Sequence, residues 1–201
     1  FTASSFTTMD YRLTYQDTTS FIYILPFSTT KALIEYTFFS PDIVDDNVYN
    51  KQLTTYIKTF LKTTNYGILE EEQGIIPMSD YKFKKHNTKK VTKIGTGGGW
   101  VKASTGYSFK STEKKVATVI NNIKSNDNII KDIYKPRFEW YDRILLEVLY
   151  NNNQYGPKLF QDFYLKNNIE DGLMFLDEES SFFTDLKIMW NLKSMKFVKA
   201  F

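Results

Sequence analysis

One carboxylic acid stands within an apolar strand and is suited to donate a proton. Residues 21–27 and 32–39 are rich in β-branched and aromatic side chains, and they predict an antiparallel hairpin across the turn 28–31. Glu35 lies in the second strand among apolar neighbours. Because burial raises the pKa of a carboxyl group, Glu35 could stay neutral and protonate a weak base such as an alkene. The alternative is a strand edge, or an ion pair with Arg12 or a lysine.

A glycine-rich turn is the second candidate. Residues 91–94 predict a short strand, Gly95-Thr96-Gly97-Gly98-Gly99 follows at once, and a helix is expected to start at Ser104 or Thr105. Such a turn presents backbone N–H groups to an anion. It lacks the third glycine of a dinucleotide fingerprint, and no second strand with a terminal acid follows, so a primary Rossmann site is disfavoured. A flexible loop and a contact with a cofactor bound mainly elsewhere both stay open.

Aromatic side chains accompany both features. The chain holds 17 Phe, 14 Tyr and 3 Trp. Ring faces attract cations, so an aromatic cavity can shelter a carbocation as well as a neutral hydrocarbon. Ordinary core packing is the alternative for each ring. The candidates are Tyr23, Phe27, Tyr36, Phe38, Phe39, Trp100, Tyr107 and Phe109.

Composition excludes several classes of site. Without Cys, the chain has no disulfide, thiolate nucleophile or iron–sulfur site. His86 is the one histidine, which excludes a multi-histidine metal site and disfavours a Ser-His-Asp triad, so no metal is expected. The net charge of +3 does not argue for nucleic acid. No run approaches the roughly 18 apolar residues of a membrane span.

Two basic regions either contact anionic lipid headgroups or form solvated faces. They comprise Lys84, Lys85, Lys89 and Lys90 in the exposed loop 81–90, and Lys187, Lys193, Lys196 and Lys199 near the end.

The remaining pattern predicts an α+β fold with a helical C-terminal part. Residues 49–61 predict an amphipathic helix capped by Asp45 or Asp46, and residues 66–78 predict one or two strands around Gly74. The helix after the glycine turn carries Phe109, Val116, Val119, Ile120 and Ile123 on one face. Further helices are expected over 138–149, from Pro157, and over 180–201 with Phe182, Leu186, Met189 and Trp190 inward.

Several stretches, in this order and spacing, resemble the C-terminal half of bacterial lycopene cyclases of the flavin-dependent β-cyclase family. They are Met9-Asp10-Tyr11-Arg12, residues 21–27, residues 32–37, Gly74-Ile75-Ile76-Pro77-Met78, residues 95–109, Tyr141-Asp142-Arg143 and Phe175-Leu176-Asp177-Glu178. The resemblance spans nearly all 201 residues. Together with the first residue, Phe1, it leads us to expect a piece of a longer protein that lacks an N-terminal Rossmann half and is inactive alone.

The resemblance implies a flavoprotein-hydroxylase-like fold in three parts. Residues 1–90 would belong to a β-rich substrate domain with an antiparallel sheet, 91–125 to an FAD-binding domain, and 126–201 to a helical region. Glu35 matches the first acid of the family's acidic strand motif, the proposed catalytic acid, whereas Tyr36 replaces the second. Substrate contacts would come from Tyr23, Phe27, Tyr36, Phe38, Trp100 and Tyr107. Cofactor contacts would come from Gly95, Thr96, Gly97, Gly98, Gly99, Lys102, Ser104, Thr105 and Gly106, with Ala103 in place of the usual proline.

The implied reaction is a cyclisation without net redox change. Reduced FAD, with NAD(P)H as reductant, would lie beside the end of lycopene while an acid protonates the terminal alkene and a β-ionone ring closes. The enzyme would be cytoplasmic and peripherally attached to the membrane, because its substrate dissolves in lipid. The alternatives are a related FAD-dependent isoprenoid reductase or hydroxylase, which needs no acid at Glu35, and a non-catalytic module that binds a hydrophobic ligand.

Overall fold

The computed structural model describes residues 1–88 and 91–192 in an α+β arrangement, which confirms the predicted class. Strands β1 (Thr7–Asp10), β2 (Thr19–Pro26) and β3 (Ala32–Phe39) form an antiparallel sheet in the order β1-β2-β3. The helices of the described residues are α1 (Asp46–Phe60), α2 (Phe109–Lys124), α3 (Pro136–Asn151), α4 (Gly156–Lys166), α5 (Ile169–Leu176) and α6 (Phe182–Asn191).

The chain divides into two compact units. The first consists of Phe1–Gln73 and Leu149–Lys158, and the second of Gly74–Val148 and the residues from Leu159 onward. The division into functional domains at residues 90 and 125 stays a prediction.

The β2–β3 hairpin is the best-paired part of the first unit. Eight consecutive residue pairs run antiparallel, from Thr19 opposite Phe39 to Pro26 opposite Ala32. Two N–H groups donate to the carbonyl of Lys31 and close the turn. The predicted hairpin is therefore confirmed, with β2 beginning two residues earlier than expected.

Helix α1 covers one face of this sheet. The Asp45 carboxylate accepts a hydrogen bond from the Asn47 N–H at 2.9 Å, which confirms the predicted cap. Buried Ile22, Tyr36 and Tyr56 form the centre of the core between helix and sheet. Full burial of such a side chain contributes about 1.5–3 kcal/mol, so this contact fixes which face of the sheet is inside.

The segment Leu149–Lys158 fastens the open end of the hairpin. Asn153 accepts hydrogen bonds from the N–H and the hydroxyl of Thr19, and its side chain donates to the Phe39 carbonyl at 2.8 Å. The backbone at Gly156 passes so close that a Cβ there would overlap the Thr19 hydroxyl. One side chain thus bridges β2 and β3 where the strands end.

A buried carboxylate ties β1 to α1. Asp10 is 8% exposed and accepts hydrogen bonds from Arg12 Nε at 2.8 and 2.9 Å and from the Tyr56 hydroxyl. The Arg12 guanidinium also stacks over the Phe60 ring, 4.6 Å from its centroid. Burial by itself raises the pKa of Asp10, but the hydrogen bonds from Arg12 and Tyr56 outweigh it and lower that pKa.

The second unit has an aromatic core built by its helices. The ring of Phe175 contacts those of Phe138, Tyr141 and Phe163 at centroid distances of 5.9–6.2 Å. Gly172 on α5 lets Phe163 approach, since a Cβ there would lie 3.3 Å from its ring. The helices expected over 138–149 and from Pro157 are confirmed as α3 and α4.

Two predicted strand segments are wrong. Residues 66–78 and 91–94 form no strand in the described chain, and most apolar side chains there are exposed, among them Ile68, Leu69 and Ile94. A strand needs a hydrogen-bonded neighbour, and the described sheet ends at β1 and β3. Apolar composition alone therefore did not make strands.

Two helices differ from expectation at their ends or faces. Helix α2 begins at Phe109, later than the predicted Ser104 or Thr105, because residues 102–107 form a closed turn. Its predicted apolar side chains do share one face, but that face is exposed at Phe109, Val116, Ile120 and Ile123, and Val119 is half-buried. On α6 the predicted inward set is wrong: Ile188 and Asp185 are buried, whereas Trp190 is 70% exposed.

Several lysines of the two predicted basic regions are not among the residues that the structure describes. Lys89 and Lys90 of the basic loop, and Lys193, Lys196 and Lys199 within the predicted 180–201 helix, lie outside the described residues. Within residues 1–88 and 91–192, none of the helices combines the length and the apolar character that a membrane crossing requires.

We expect Arg12→Met to destabilise the first unit. The change leaves the buried Asp10 carboxylate without its cation, which costs about 1–3 kcal/mol in the free energy of unfolding at pH 7. Since the pKa of Asp10 is lowered in the folded chain, this contribution is present above the usual aspartate pKa and is lost as the pH falls through the folded value. Denaturant titrations at pH 7 and at acid pH measure both effects.

Arg143→Met is the matched control for this prediction. Arg143 forms an exposed pair with Asp80 at 3.6 Å, so its replacement should change stability by less than about 0.5 kcal/mol at any pH. Equal losses for the two variants would contradict the role given to Arg12.

Candidate functional site

The hairpin register places Glu35 on the sheet face that α1 does not cover. Glu35 is paired with Tyr23 across the strands, so the two side chains project to the same side. The flanking pair on that face, Leu25 with Leu33, is apolar. The ring of Tyr23 also contacts the buried ring of Phe21, and the two ring centroids lie 5.2 Å apart. Glu35 is therefore the one carboxyl group on a largely apolar and aromatic strip of strand residues, on which Thr37 is its polar neighbour along β3.

The surroundings of Glu35 favour its neutral form. The side chain is half-buried on β3, an edge strand of the described sheet. Burial raises the pKa of Glu35, and the nearby Glu72 carboxyl raises it further, through a hydrogen bond to the protonated form and through like-charge repulsion. Within the described chain no lysine or arginine forms an ion pair with Glu35, and Arg12 is bound to Asp10 instead. The edge position is thus correct, whereas the ion-pair alternative is not found.

The other predicted substrate residues occupy several places. Tyr36 and Phe38 point to the opposite face from Glu35, where Tyr36 donates to the Ser20 hydroxyl at 3.0 Å within the α1 core. Phe27 follows β2 and is 60% exposed. Trp100 and Tyr107 belong to the second unit, where Trp100 is buried and Tyr107 is partly exposed. The structure brings Tyr23 to Glu35 but does not bring Tyr36 or Phe38 to it.

The glycine turn is a closed loop that requires glycine at defined positions. Gly95 and Gly99 have φ angles of 60° and 70°, the left-handed region that glycine enters without strain. The N–H groups of Gly98 and Trp100 both donate to the Gly95 carbonyl at 3.0 Å. Gly98 is buried, and a Cβ there would lie 2.3 Å from the Lys93 carbonyl oxygen. The predicted turn is therefore a fixed structure rather than a flexible linker.

The open side of this loop leaves backbone donors accessible to a ligand. Of the loop amides, those of Thr96 and Gly97 donate to no group within residues 1–88 and 91–192. A Cβ at Gly97 would meet no described atom within 4 Å, so a ligand can approach its backbone. Two free N–H donors beside an open glycine suit an anionic or carbonyl oxygen such as a flavin carries.

The residues after the loop form a second tight turn. The N–H groups of Gly106 and Lys102 make hydrogen bonds of 2.8 Å, to the carbonyls of Lys102 and Tyr107 respectively, and Thr105 also donates to the Lys102 carbonyl. Gly106 has a φ of 73°. The turn holds Lys102 and Ser104 inward, since both are buried.

Lys102 and Ser104 converge on an acid that the prediction of site residues did not include. The Ser104 hydroxyl donates to Asp142 Oδ1 at 2.5 Å, and Lys102 Nζ lies 2.8 Å from the same oxygen. Glu178 lies 3.6 Å from Lys102 Nζ. Glu72, Asp142 and Glu178 are the acids that sequence reasoning missed as site residues. Asp142 and Glu178 stood within stretches already matched to the family, whereas Glu72 carried no signal.

Metal binding has no evident site in the described part of the chain. Within residues 1–88 and 91–192, no group of three or more His, Cys, Asp and Glu side chains is placed to hold an ion.

Gly98→Ala should unfold the glycine loop, whereas Gly97→Ala should not. The added methyl group at Gly98 must displace the Lys93 carbonyl, which we expect to lower the free energy of unfolding by about 1–3 kcal/mol. At Gly97 the space is open, and a change below about 0.5 kcal/mol is expected. Denaturant unfolding of the two variants measures the difference, and equal stability would contradict the loop geometry.

Comparison with known proteins gives a family match. A model of the family described as lycopene cyclase protein matches residues 1–177. Neither the curated proteins nor the solved structures give a significant match. The matched range contains Glu35, the glycine loop and the Lys102–Asp142 pair. Because the match covers most of the chain, the protein belongs to the lycopene cyclase family.

Proposed function

We propose that this protein acts in carotenoid biosynthesis and cyclises the end groups of lycopene to β-ionone rings, so that the product is β-carotene. Its family supports a carotenoid cyclase. The observation that carries the specific reaction is Glu35, a half-buried carboxyl group on an apolar strip whose pKa is raised by burial and by Glu72. A carboxyl group with a raised pKa keeps its proton to a higher pH than usual, and in that form it can donate the proton to an alkene.

The reaction assigned to Glu35 is an isomerisation. Its carboxyl group gives a proton to the terminal double bond of the polyene, and a carbocation forms. The electrons of a neighbouring double bond close the ring by a new carbon–carbon bond, and loss of one proton restores neutrality. The substrate gains and loses one proton, so no oxidant or reductant is consumed.

The neighbours of Glu35 contribute by stabilising charge and excluding water. The face of the Tyr23 ring attracts a cation, and Tyr23 shares the sheet face with Glu35. Leu25 and Leu33, the next pair along the strands, offer apolar contact to a hydrocarbon. Exclusion of water from such a surface protects a carbocation from capture as an alcohol.

FAD, with NAD(P)H as its reductant, is the proposed cofactor. The free N–H groups of Thr96 and Gly97 would hold part of it. When bound in its reduced, anionic form, flavin supplies negative charge that stabilises a developing cation.

Glu35→Gln should abolish cyclisation. The amide keeps the size of the side chain but cannot donate an acidic proton, so we expect a loss of about 10²-fold or more. The gene that encodes this chain is expressed in a lycopene-accumulating bacterium, and pigments are separated by chromatography with protein levels checked by immunoblot. Unchanged β-carotene in the variant would remove Glu35 from the reaction.

The wild-type product also tests the reaction class. A hydroxylated or reduced isoprenoid would favour a related flavoprotein activity, and lycopene that is bound but unchanged would favour a binding module; either result would overturn the cyclase proposal.

Glu72→Gln is expected to shift the pH dependence without abolishing activity. Removing the neighbouring charge lowers the pKa of Glu35, so Glu35 loses its proton at a lower pH. The alkaline limb of the cyclisation rate should therefore move to lower pH, measured with membranes from the expressing cells. An unshifted limb would mean that Glu72 does not control the proton of Glu35.

We also propose that the protein attaches peripherally to the cytoplasmic membrane, where lycopene dissolves. Helix α6 exposes Phe183 and Trp190, which are 81% and 70% exposed and lie seven residues apart on one side of the helix. Aromatic rings favour the membrane–water interface.

The double variant Phe183→Ser and Trp190→Ser should reduce binding to vesicles that contain anionic lipid by several-fold in a flotation assay. Tyr150→Ser, which removes an exposed ring from α3, is the control and should bind as the wild type does. Equal flotation of all three proteins would contradict a role for α6.

A further inference from the structure

A pocket in the second unit, next to the glycine loop, is lined by several lysine side chains. Its lining contains five lysines and four carboxylic acids, along with Thr96 and Gly99 of the loop. Lys82 and Lys84 both lie beside Glu139, at 3.8 and 3.4 Å. The other three acids of the lining are Asp80, Asp142 and Glu178. Asp80 pairs with Arg143, which does not line the pocket. The acids therefore do not balance the lysines inside the pocket.

Two of the five lysines have only carbonyl oxygens as partners. Lys115 Nζ lies 3.4 Å from the Trp100 carbonyl, and Lys135 Nζ donates to the Glu178 carbonyl at 2.7 Å. In the described residues, neither ammonium group has a carboxylate within 4 Å. For Lys115, which is half-buried, an unpaired cation is costly unless an anion accompanies it, and exposed Lys135 adds a second unpaired charge beside it.

Lys102 adds a third donor group. Its Nζ lies 2.8 Å from Asp142 and 3.6 Å from Glu178, yet it has no partner in hydrogen-bond geometry among the described residues. The ion pairs therefore hold Lys102 at 5% exposure while its N–H groups stay available to another acceptor.

The charges of Lys102 and Lys135 act on the ammonium group of Lys115. Burial lowers the pKa of Lys115; Glu178 opposes this change, while the positive charges of Lys102 and Lys135 lower the pKa further. Lysines that repel one another around a shared space provide the arrangement that a multiply charged anion stabilises.

We propose that this pocket binds a phosphate group through the ammonium groups of Lys102, Lys115 and Lys135. A phosphate group carries three or more acceptor oxygens in different directions, so it can meet several lysines at once. The group is either free phosphate or pyrophosphate, or the phosphate part of a nucleotide. The site does not depend on the proposed cyclisation, because it uses neither Glu35 nor lycopene.

Titration calorimetry on the purified full chain tests the site with pyrophosphate, FMN and riboflavin as probes. We expect saturable binding of pyrophosphate and an increase in the melting temperature when it is present. Lys115→Met and Lys135→Met should each weaken this binding about tenfold, as loss of one charge-assisted hydrogen bond implies. Lys124→Met, at the exposed end of α2, is the matched control and should bind as the wild type does.

The probes separate the two sources of the phosphate group. Tight FMN binding with weak riboflavin binding indicates a nucleotide phosphate, and pyrophosphate binding without FMN binding indicates a free anion; both support the site. Absence of both pyrophosphate and FMN binding, or equal affinity in the Lys115, Lys135 and Lys124 variants, would overturn it. Circular dichroism confirms that each variant is folded, and Lys135 is exposed, so its replacement tests the site without disturbing the core.

Discussion

The register of the β2–β3 hairpin determines which side chains of the first unit can act together. A slip of β3 by one residue against β2 would move Glu35 into the α1 core and would turn Tyr36 outward. Three contacts prevent such a slip: the aromatic core under α1, the turn closed on the Lys31 carbonyl, and the Asn153 bridge at the open end. Asn153 recognises both strands at their last pair, where fraying would begin.

The same register places Glu35 where it lowers the stability of the folded chain. Two carboxyl groups, those of Glu35 and Glu72, lie close enough to repel when both are ionised. Since the pKa of Glu35 is raised in the folded chain, stability falls as the pH rises from the usual glutamate pKa through the folded value. Packing of the strand does not require two adjacent carboxyl groups. When Glu35 is neutral, its hydrogen bond to Glu72 replaces the repulsion between the two charges. A carboxyl group whose raised pKa lowers the stability of the fold is typical of a reactive site.

Local pattern predicted the elements whose partners are near in sequence. The hairpin and the Asp45 cap depend on residues a few positions apart, so strand composition, the short turn and capping chemistry were sufficient. Residues 66–78 contain two short apolar runs, Ile68-Leu69 and Ile75-Ile76, but no adjacent strand, and composition does not reveal a missing partner. For the site, Glu35 was found because an acid is unusual in an apolar strand. Glu72 was missed because it meets Glu35 across 37 positions of sequence, through a segment without regular structure.

Helix α2 shows why periodicity did not decide which face is inside. Its polar side faces the second unit: the Asn122 amide donates to the Ile129 and Lys131 carbonyls at 3.1 and 2.9 Å, and Lys115 reaches the Trp100 carbonyl. At its N-terminal end, Lys110 pairs with Asp177. These polar contacts fix the rotation of the helix, and Phe109, on the opposite side, is 82% exposed as a result. The position of Lys115 in the pocket and the exposed apolar stripe are therefore two consequences of one orientation.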